Sequence, residues 1–255
     1  MTEAESVTRS ETATGQYSKP GSYKIAGIDI GVSGAGERYL QQSMQYRSLQ
    51  YTKNPDIEID ITGDTVKSFN RIHSYFTQDE CAYILSSEVF SEKILDHSGF
   101  ILHASAIVLD GQAYLFSAPS GTGKSTHTSL WIETFGNGRA HILNDDKPAI
   151  RRLGKKYYAY GTPWSGKTAL NANESVPLQA IAFIERSDYD WIRPMNTSEA
   201  VLYLTHNIIC PKSVLNYEKL IPLIDGLLRD VSIYHMGCTM SVNAVNLAYC
   251  TMKKG

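Results

Sequence analysis

Strand-type and helix-type hydrophobic patterns interleave along the 255-residue chain from Tyr23 onward, and this alternation predicts an α/β fold with a mixed sheet. Two further observations agree. Hydrophobic residues make up 42% of the chain and charged residues 20%, the balance of a packed chain rather than a disordered one. A Gly- and Ser-rich segment, Ala118 to Lys124, also falls where a strand should hand over to a helix.

Residues 1–21, rich in Thr, Ser, Glu and Ala, read as a disordered tail without the apolar stretch of a secretory signal. Tyr23 to Ile30 and Ile57 to Ile61 alternate as half-buried strands do. Thr77 and Glu80 have capping-box spacing, Ile84, Leu85, Val89, Ile94 and Leu95 recur at helical intervals, and Gly99 stands where a C-terminal glycine belongs, so 78–98 is predicted as one helix. Phe100 to Leu109 is an apolar strand-like run, Asp110-Gly111 a hairpin signal, and Gln112 to Ser117 the returning strand.

After the 118–124 loop come a helix (Ser125 to Phe135), a strand (His141 to Asn144) and a hairpin around Gly154. A loop (Gly161 to Lys167) and a buried strand (Val176 to Ile184) follow. Helices are predicted near Ser198 to Asn207, Tyr217 to Leu228 and Val242 to Met252, with a short strand at Val231 to Tyr234. With no internal repeat or linker past residue 22, 22–255 reads as one domain. Its parts are a β/α portion (22–99), a core (100–190) and a helical portion (191–255).

Lys+Arg 24 against Asp+Glu 26 gives a net charge of −2, which removes the electrostatic basis for nucleic acid or an anionic membrane as main partner. The longest apolar runs are interrupted or too short for the ~20 residues of a spanning helix. Cys81, Cys210, Cys238 and Cys250 form no zinc or disulfide pattern and suit a reducing cytoplasm, as small, mostly buried hydrophobes.

The chemistry concentrates in Ala118-Pro-Ser-Gly-Thr-Gly-Lys-Ser125, which has the make-up of a phosphate-binding loop. Small residues let successive backbone amides turn inward around an anion, a lysine reaches the outer phosphates, and a hydroxyl holds Mg²⁺. Ser120, Gly121, Thr122, Gly123, Lys124, Ser125 and Thr126 are thus the expected ATP-binding residues. Alanine replaces the first glycine of the strict motif, which requires a negative φ at Ala118.

A second strand should end in an acid that completes the metal site, and Asp145 and Asp146 stand there. As neighbours on a strand they would point to opposite faces, one toward Mg²⁺ and the other toward a different atom. His103 and Ser105 share one face of their strand and point toward the same region.

The run from His103 through Ala118–Ser125 to Asn144-Asp145-Asp146 resembles the C-terminal catalytic domain of bacterial HPr serine kinase/phosphorylase, a P-loop fold related to phosphoenolpyruvate carboxykinase. The resemblance covers 101–150 and fades by about residue 190. It implies a P-loop domain of that type with a mixed sheet. Lys124 and Ser125 would act on nucleotide phosphates and Mg²⁺, Asp145 as base and Asp146 beside the metal, although the sequence does not decide between the two acids. His103 and Lys124 would be catalytic partners of Asp145, the histidine near the transferred phosphoryl group.

The Glu-Ile-Arg-Gly-Leu-Gly type signature of HPr kinases is missing, with Gly161-Thr-Pro-Trp-Ser-Gly-Lys167 in its region, and 22–99 is too short for their N-terminal domain. The implied acceptor is therefore a serine of another peptide or protein, or free serine, as in the smaller HPr-kinase-like proteins. The Thr162 to Lys167 loop has two readings: one presents Trp164 and Lys167 to nucleotide or substrate, the other is a Pro/Gly turn with a half-buried tryptophan. HPr kinases form hexamers, which makes self-association a further implication. The alternatives are a non-catalytic ATP-binding regulator and a carboxykinase-like enzyme.

Overall fold

The computed structural model describes residues 21–50, 52–209 and 211–254. The predicted tail therefore lies outside the described residues, apart from Gly21, which opens the first strand. The elements are β1 (Gly21–Ile25), β2 (Ile28–Ser33), α1 (Gly36–Gln42), β3 (Ile57–Asp60), α2 (Gly63–Ile72), α3 (Gln78–Lys93), β4 (Gly99–Ile101), β5 (Ala104–Leu109), β6 (Gln112–Ser117) and α4 (Lys124–Phe135). They continue with β7 (Ala140–Asn144), β8 (Ala149–Leu153), β9 (Lys156–Tyr160), β10 (Ser175–Arg186), β11 (Trp191–Pro194), α5 (Thr197–Asn207), α6 (Val214–Asp230), β12 (Ser232–Cys238) and α7 (Val242–Met252). The fold is α/β with mixed strand pairing, as the alternating patterns predict.

One sheet runs β4-β8-β9-β10-β6-β5-β7, with β12 joined to β10 and β11 to β12. The long central β10 pairs antiparallel with β9 through its first residues and parallel with β12 through its second half. Side chains alternate along these strands, because successive residues face opposite sides, except where the register shifts between Leu178 and Ala180 and between Ala106 and Ile107. Ala104, Ala106 and Val108 of β5 enter a core with α5 and α6, whereas Ile107 and Leu109 enter one with α4 and α7. A second sheet, β1-β2-β3, packs with α1 and α3 around Tyr39, Phe90 and Trp164.

Several expectations are corrected. Tyr23 to Ile30 is not one strand but the β1–β2 hairpin, turned by Ala26 and Gly27, both at positive φ. The 78–98 helix has its capping box, yet α3 stops at Lys93 and a 3-10 turn covers Ile94–His97. Ser98, not Gly99, takes the left-handed conformation. Gly99 lies in β4, where a Cβ would come within 3.1 Å of the Ile150 carbonyl oxygen. Phe100 to Leu109 breaks at Leu102-His103 into β4 and β5, so His103 precedes β5 rather than sharing its face with Ser105. The sequence patterns do not predict α1, α2 or β11. Cys81 and Cys238 are buried and Cys250 is exposed, while Cys210 lies outside the described residues. Among the described residues no helix is long and apolar enough to cross a membrane.

Candidate active site

Strand direction gathers the site. Because β5 runs antiparallel to both β6 and β7, and β10 parallel to β6, one sheet edge collects the C-terminal ends of β6, β7 and β10 and the start of β5. The 118–124 loop, the Asp145-Asp146 turn, Arg186 and His103 sit there, where α/β sheets place their ligand crevices. A cavity of about 600 Å³ opens at this edge.

The loop leaves β6 and enters α4 through Gly121 at φ 81° and Gly123 at φ 120°, both in the glycine-favoured region. At Gly123 a Cβ would also lie 2.6 Å from the Met240 Cε. Ala118 is not among the residues with positive φ, as its substitution for glycine requires. No side chain caps the start of α4, and the first amide to bond back is that of His127, to the Gly123 carbonyl at 2.9 Å. The amides of the first turn therefore have no intrahelical acceptors, and the positive end of the helix faces the cavity. Lys124 is buried and donates to the carbonyls of Ala118 at 2.7 Å and Pro119 at 3.4 Å. Burial lowers its pKa, with Asp146 and Asp145 opposing. Arg186 donates to the Thr122 and Gly121 carbonyls from the end of β10.

Asn144 shapes the acidic turn. Its Oδ1 accepts from the amides of Asp146 at 3.0 Å and Lys147 at 2.7 Å, while its Nδ2 donates to the Thr162 carbonyl. The two carboxylates diverge as expected, but from a turn beyond the strand rather than by strand alternation. Asp145 is buried, accepting from Ser105 Oγ at 2.7 Å and Thr168 Oγ1 at 3.0 Å. Ser105 also bonds Thr128, whose hydroxyl donates to the Lys124 and Ser125 carbonyls, so Asp145 is tied to the first turns of α4.

Asp146 is 27% exposed and lies 3.3 Å from His103 Nε2. Burial opposes its ionisation, but the His103 hydrogen bond and the charges of Lys147, His103 and Lys124 outweigh that and hold the carboxyl below its usual range. His103 is fixed by its own backbone, its amide donating to Asn207 and its carbonyl accepting from Ser117 Oγ.

Ser120, Gly121, Gly123, Lys124, Ser125, Thr126, His103, Asp145 and Asp146 thus share one cavity. Thr122 lies on the other side of the loop, beside Pro119 and Arg186. Trp164 does not face the cavity: it is 1% exposed, stacks on Phe90 at 4.7 Å and donates to Ser86 Oγ, because its ring completes the core beneath β1–β3. Lys167 does reach the cavity. Sequence reasoning missed Thr168, Arg186, Arg38 and Lys147. Thr128 had a local signal, one helical turn beyond Ser125, but Arg38 had none.

The oxygen donors offered by Ser125, Asp145 and Asp146 are of the type that Mg²⁺ takes alongside substrate phosphates.

A family model described as "SynChlorMet cassette protein ScmC" matches residues 82–216, just over half of the chain. No curated protein matches. Among solved structures, the chain is similar to the Hpr(Ser) kinase/phosphatase from Coxiella burnetii. That similarity spans 60% of this chain and 94% of the other, at 11% identity and a TM-score of 0.34. By the extent of the family match, the chain belongs to the ScmC family of SynChlorMet cassette proteins.

Proposed function

We propose that this protein is a Mg²⁺- and ATP-dependent phosphotransferase that moves the γ-phosphate to a hydroxyl, with 118–125 as a P-loop of the HPr kinase/phosphoenolpyruvate carboxykinase type. The observation that carries the reading is one sheet edge where an uncapped helix start and a buried lysine face two divergent carboxylates, one paired with histidine. When bound, Mg²⁺ would neutralise charge on the phosphate oxygens. Lys124 would leave its loop carbonyls for phosphate oxygens, and the first amides of α4 would cradle the anion. Arg186 would hold the loop in shape from behind.

The geometry favours a division of labour opposite to the one the resemblance implies. Asp145, tied to Ser105, Thr128 and Thr168 beside α4, suits the metal side. Asp146, more accessible and paired with His103, suits the base. Asp146 would take the acceptor's hydroxyl proton as that oxygen bonds to the γ-phosphorus, while the bond from γ-phosphorus to the bridging oxygen breaks and ADP departs.

Calorimetric titration with MgATP, together with transfer of γ-labelled phosphate to serine, serine peptides and cell extract, tests this. Lys124→Met should abolish MgATP binding. Asp146→Asn should retain binding while transfer falls about 10²–10⁴-fold. Tight binding without transfer to any acceptor would instead identify a non-catalytic ATP-binding protein, and full transfer in Asp146→Asn would remove the base assignment.

A further inference from the structure

The same cavity is also lined by Phe76, Tyr83 and Ile84 and by the cations Arg38, Lys147 and Lys167. These cations lie beside Asp146: Arg38 bonds Gly166, whose Cβ position would be 3.1 Å from that of Asp146, and Lys147 follows Asp146 in the chain. Arg38 projects from α1, Lys147 follows the acidic turn, and Lys167 lies in the loop before β10.

Arg38 lies over the Tyr83 ring at 4.5 Å and donates through one Nη2 hydrogen to the Gly166 carbonyl, which leaves most of its guanidinium donors unused. Among the described residues Lys147 Nζ donates to a neutral hydroxyl, Ser87 Oγ at 3.1 Å. Among the described residues none of these three cations forms an ion pair. Glu80, on the same lining, accepts the amide and hydroxyl of Thr77 on Oε2 and forms an ion pair with none of the three cations. A positioned guanidinium fork and a half-buried ammonium facing a partly apolar cleft form a receptor for an anion with a small organic body.

We propose that Arg38 and Lys147 form an acceptor subsite for a carboxylate, so that the hydroxyl compound phosphorylated here carries a carboxylate group that these residues clamp. The inference rests on the phosphotransferase reading. The loop, Lys124 and Arg186 serve the triphosphate, and the cations beside Asp146 orient the acceptor's hydroxyl toward that carboxylate.

The test is saturation-transfer NMR on the full chain with MgADP, using three hydroxy acids (L-serine, N-acetyl-L-serine and D-glycerate) and their amides, alongside calorimetric titration with MgATP. At least one acid should give transfer while its amide gives none. Arg38→Gln and Lys147→Met should each weaken that signal at least tenfold, Arg38→Lys should weaken it less, and all three variants should bind MgATP within twofold of the wild type. With MgATP binding intact, silence of all three acids, equal signals from acids and amides, or full acid binding in Arg38→Gln would each overturn the subsite alone. Failure of the wild type to bind MgATP would overturn the phosphotransferase reading and the subsite with it.

Discussion

At the residue scale, His127 sits directly behind the phosphate-loop candidate in a state set by its neighbours. Trp131 Nε1 donates to its Nε2 at 3.2 Å, which leaves the proton on Nδ1, and Nδ1 has no partner. Burial lowers its pKa to about 4, with the charge of Asp190 opposing. The unfolded chain therefore binds this proton more tightly than the folded one. Stability from this group is fully present above about pH 6.5 and is lost as the pH falls toward 4. Urea unfolding at pH 7 and 4.5 should show about 2–3 kcal/mol of acid destabilisation from this residue, absent in His127→Gln. An unchanged pH slope in the variant would show that other groups carry the acid sensitivity. The site's charged groups were legible residue by residue, since Lys124, Asp145, Asp146 and His103 all reach one cavity. Arg38 was not, because nothing local to α1 marks a side chain whose partners, Tyr83 and Gly166, lie 45 and 128 positions away.

At the element scale, the segment between β9 and β10 ties the second sheet to the site. Trp164 anchors it in the core by stacking on Phe90, and the residues after it supply Gly166 to Arg38 and Thr168 to Asp145. Gly166 itself has φ 68°, and a Cβ there would lie 3.1 Å from that of Asp146, so the segment can approach the acid only at a glycine. Trp164→Ala should cost about 3–5 kcal/mol in chemical denaturation, the range for emptying a large aromatic site. Trp164→Phe, which keeps most of the packing but not the bond to Ser86, should cost about 1 kcal/mol. Equal, small losses in both would mean that the core closes around the missing ring. The Pro- and Gly-rich composition of this segment announced a loop correctly. Whether its tryptophan faced ligand or core depended on Phe90 and Ser86, which no pattern near residue 164 reveals.

Across the whole molecule, the cavity draws on α1, α3, the ends of four strands, α4 and the 161–168 segment, so occupancy by a ligand joins parts of the chain that are remote in sequence. A ligand that binds only the folded chain stabilises it by about 2.7 kcal/mol at a hundred times its Kd. In scanning calorimetry MgATP at that excess should raise Tm by roughly 5–10 °C, taking 2–4 °C per kcal/mol for a chain of this size. Lys124→Met should show no shift. A shift of equal size in that variant would place the nucleotide elsewhere.

What the sequence determined on its own is whatever rests on short-range physics. The Ile57–Ile61 alternation, the Thr77–Glu80 cap, the Asp110-Gly111 turn and the run of small residues before Lys124 each act over a few positions, and each appears in the fold where it was expected. Tertiary structure alone decided which aspartate meets His103 and which meets Ser105, that Trp164 is core, and that α1 contributes Arg38 to the cavity. Those outcomes depend on strand order and on packing between segments from 40 to 128 residues apart, where the free energy lies in contacts that local composition does not encode.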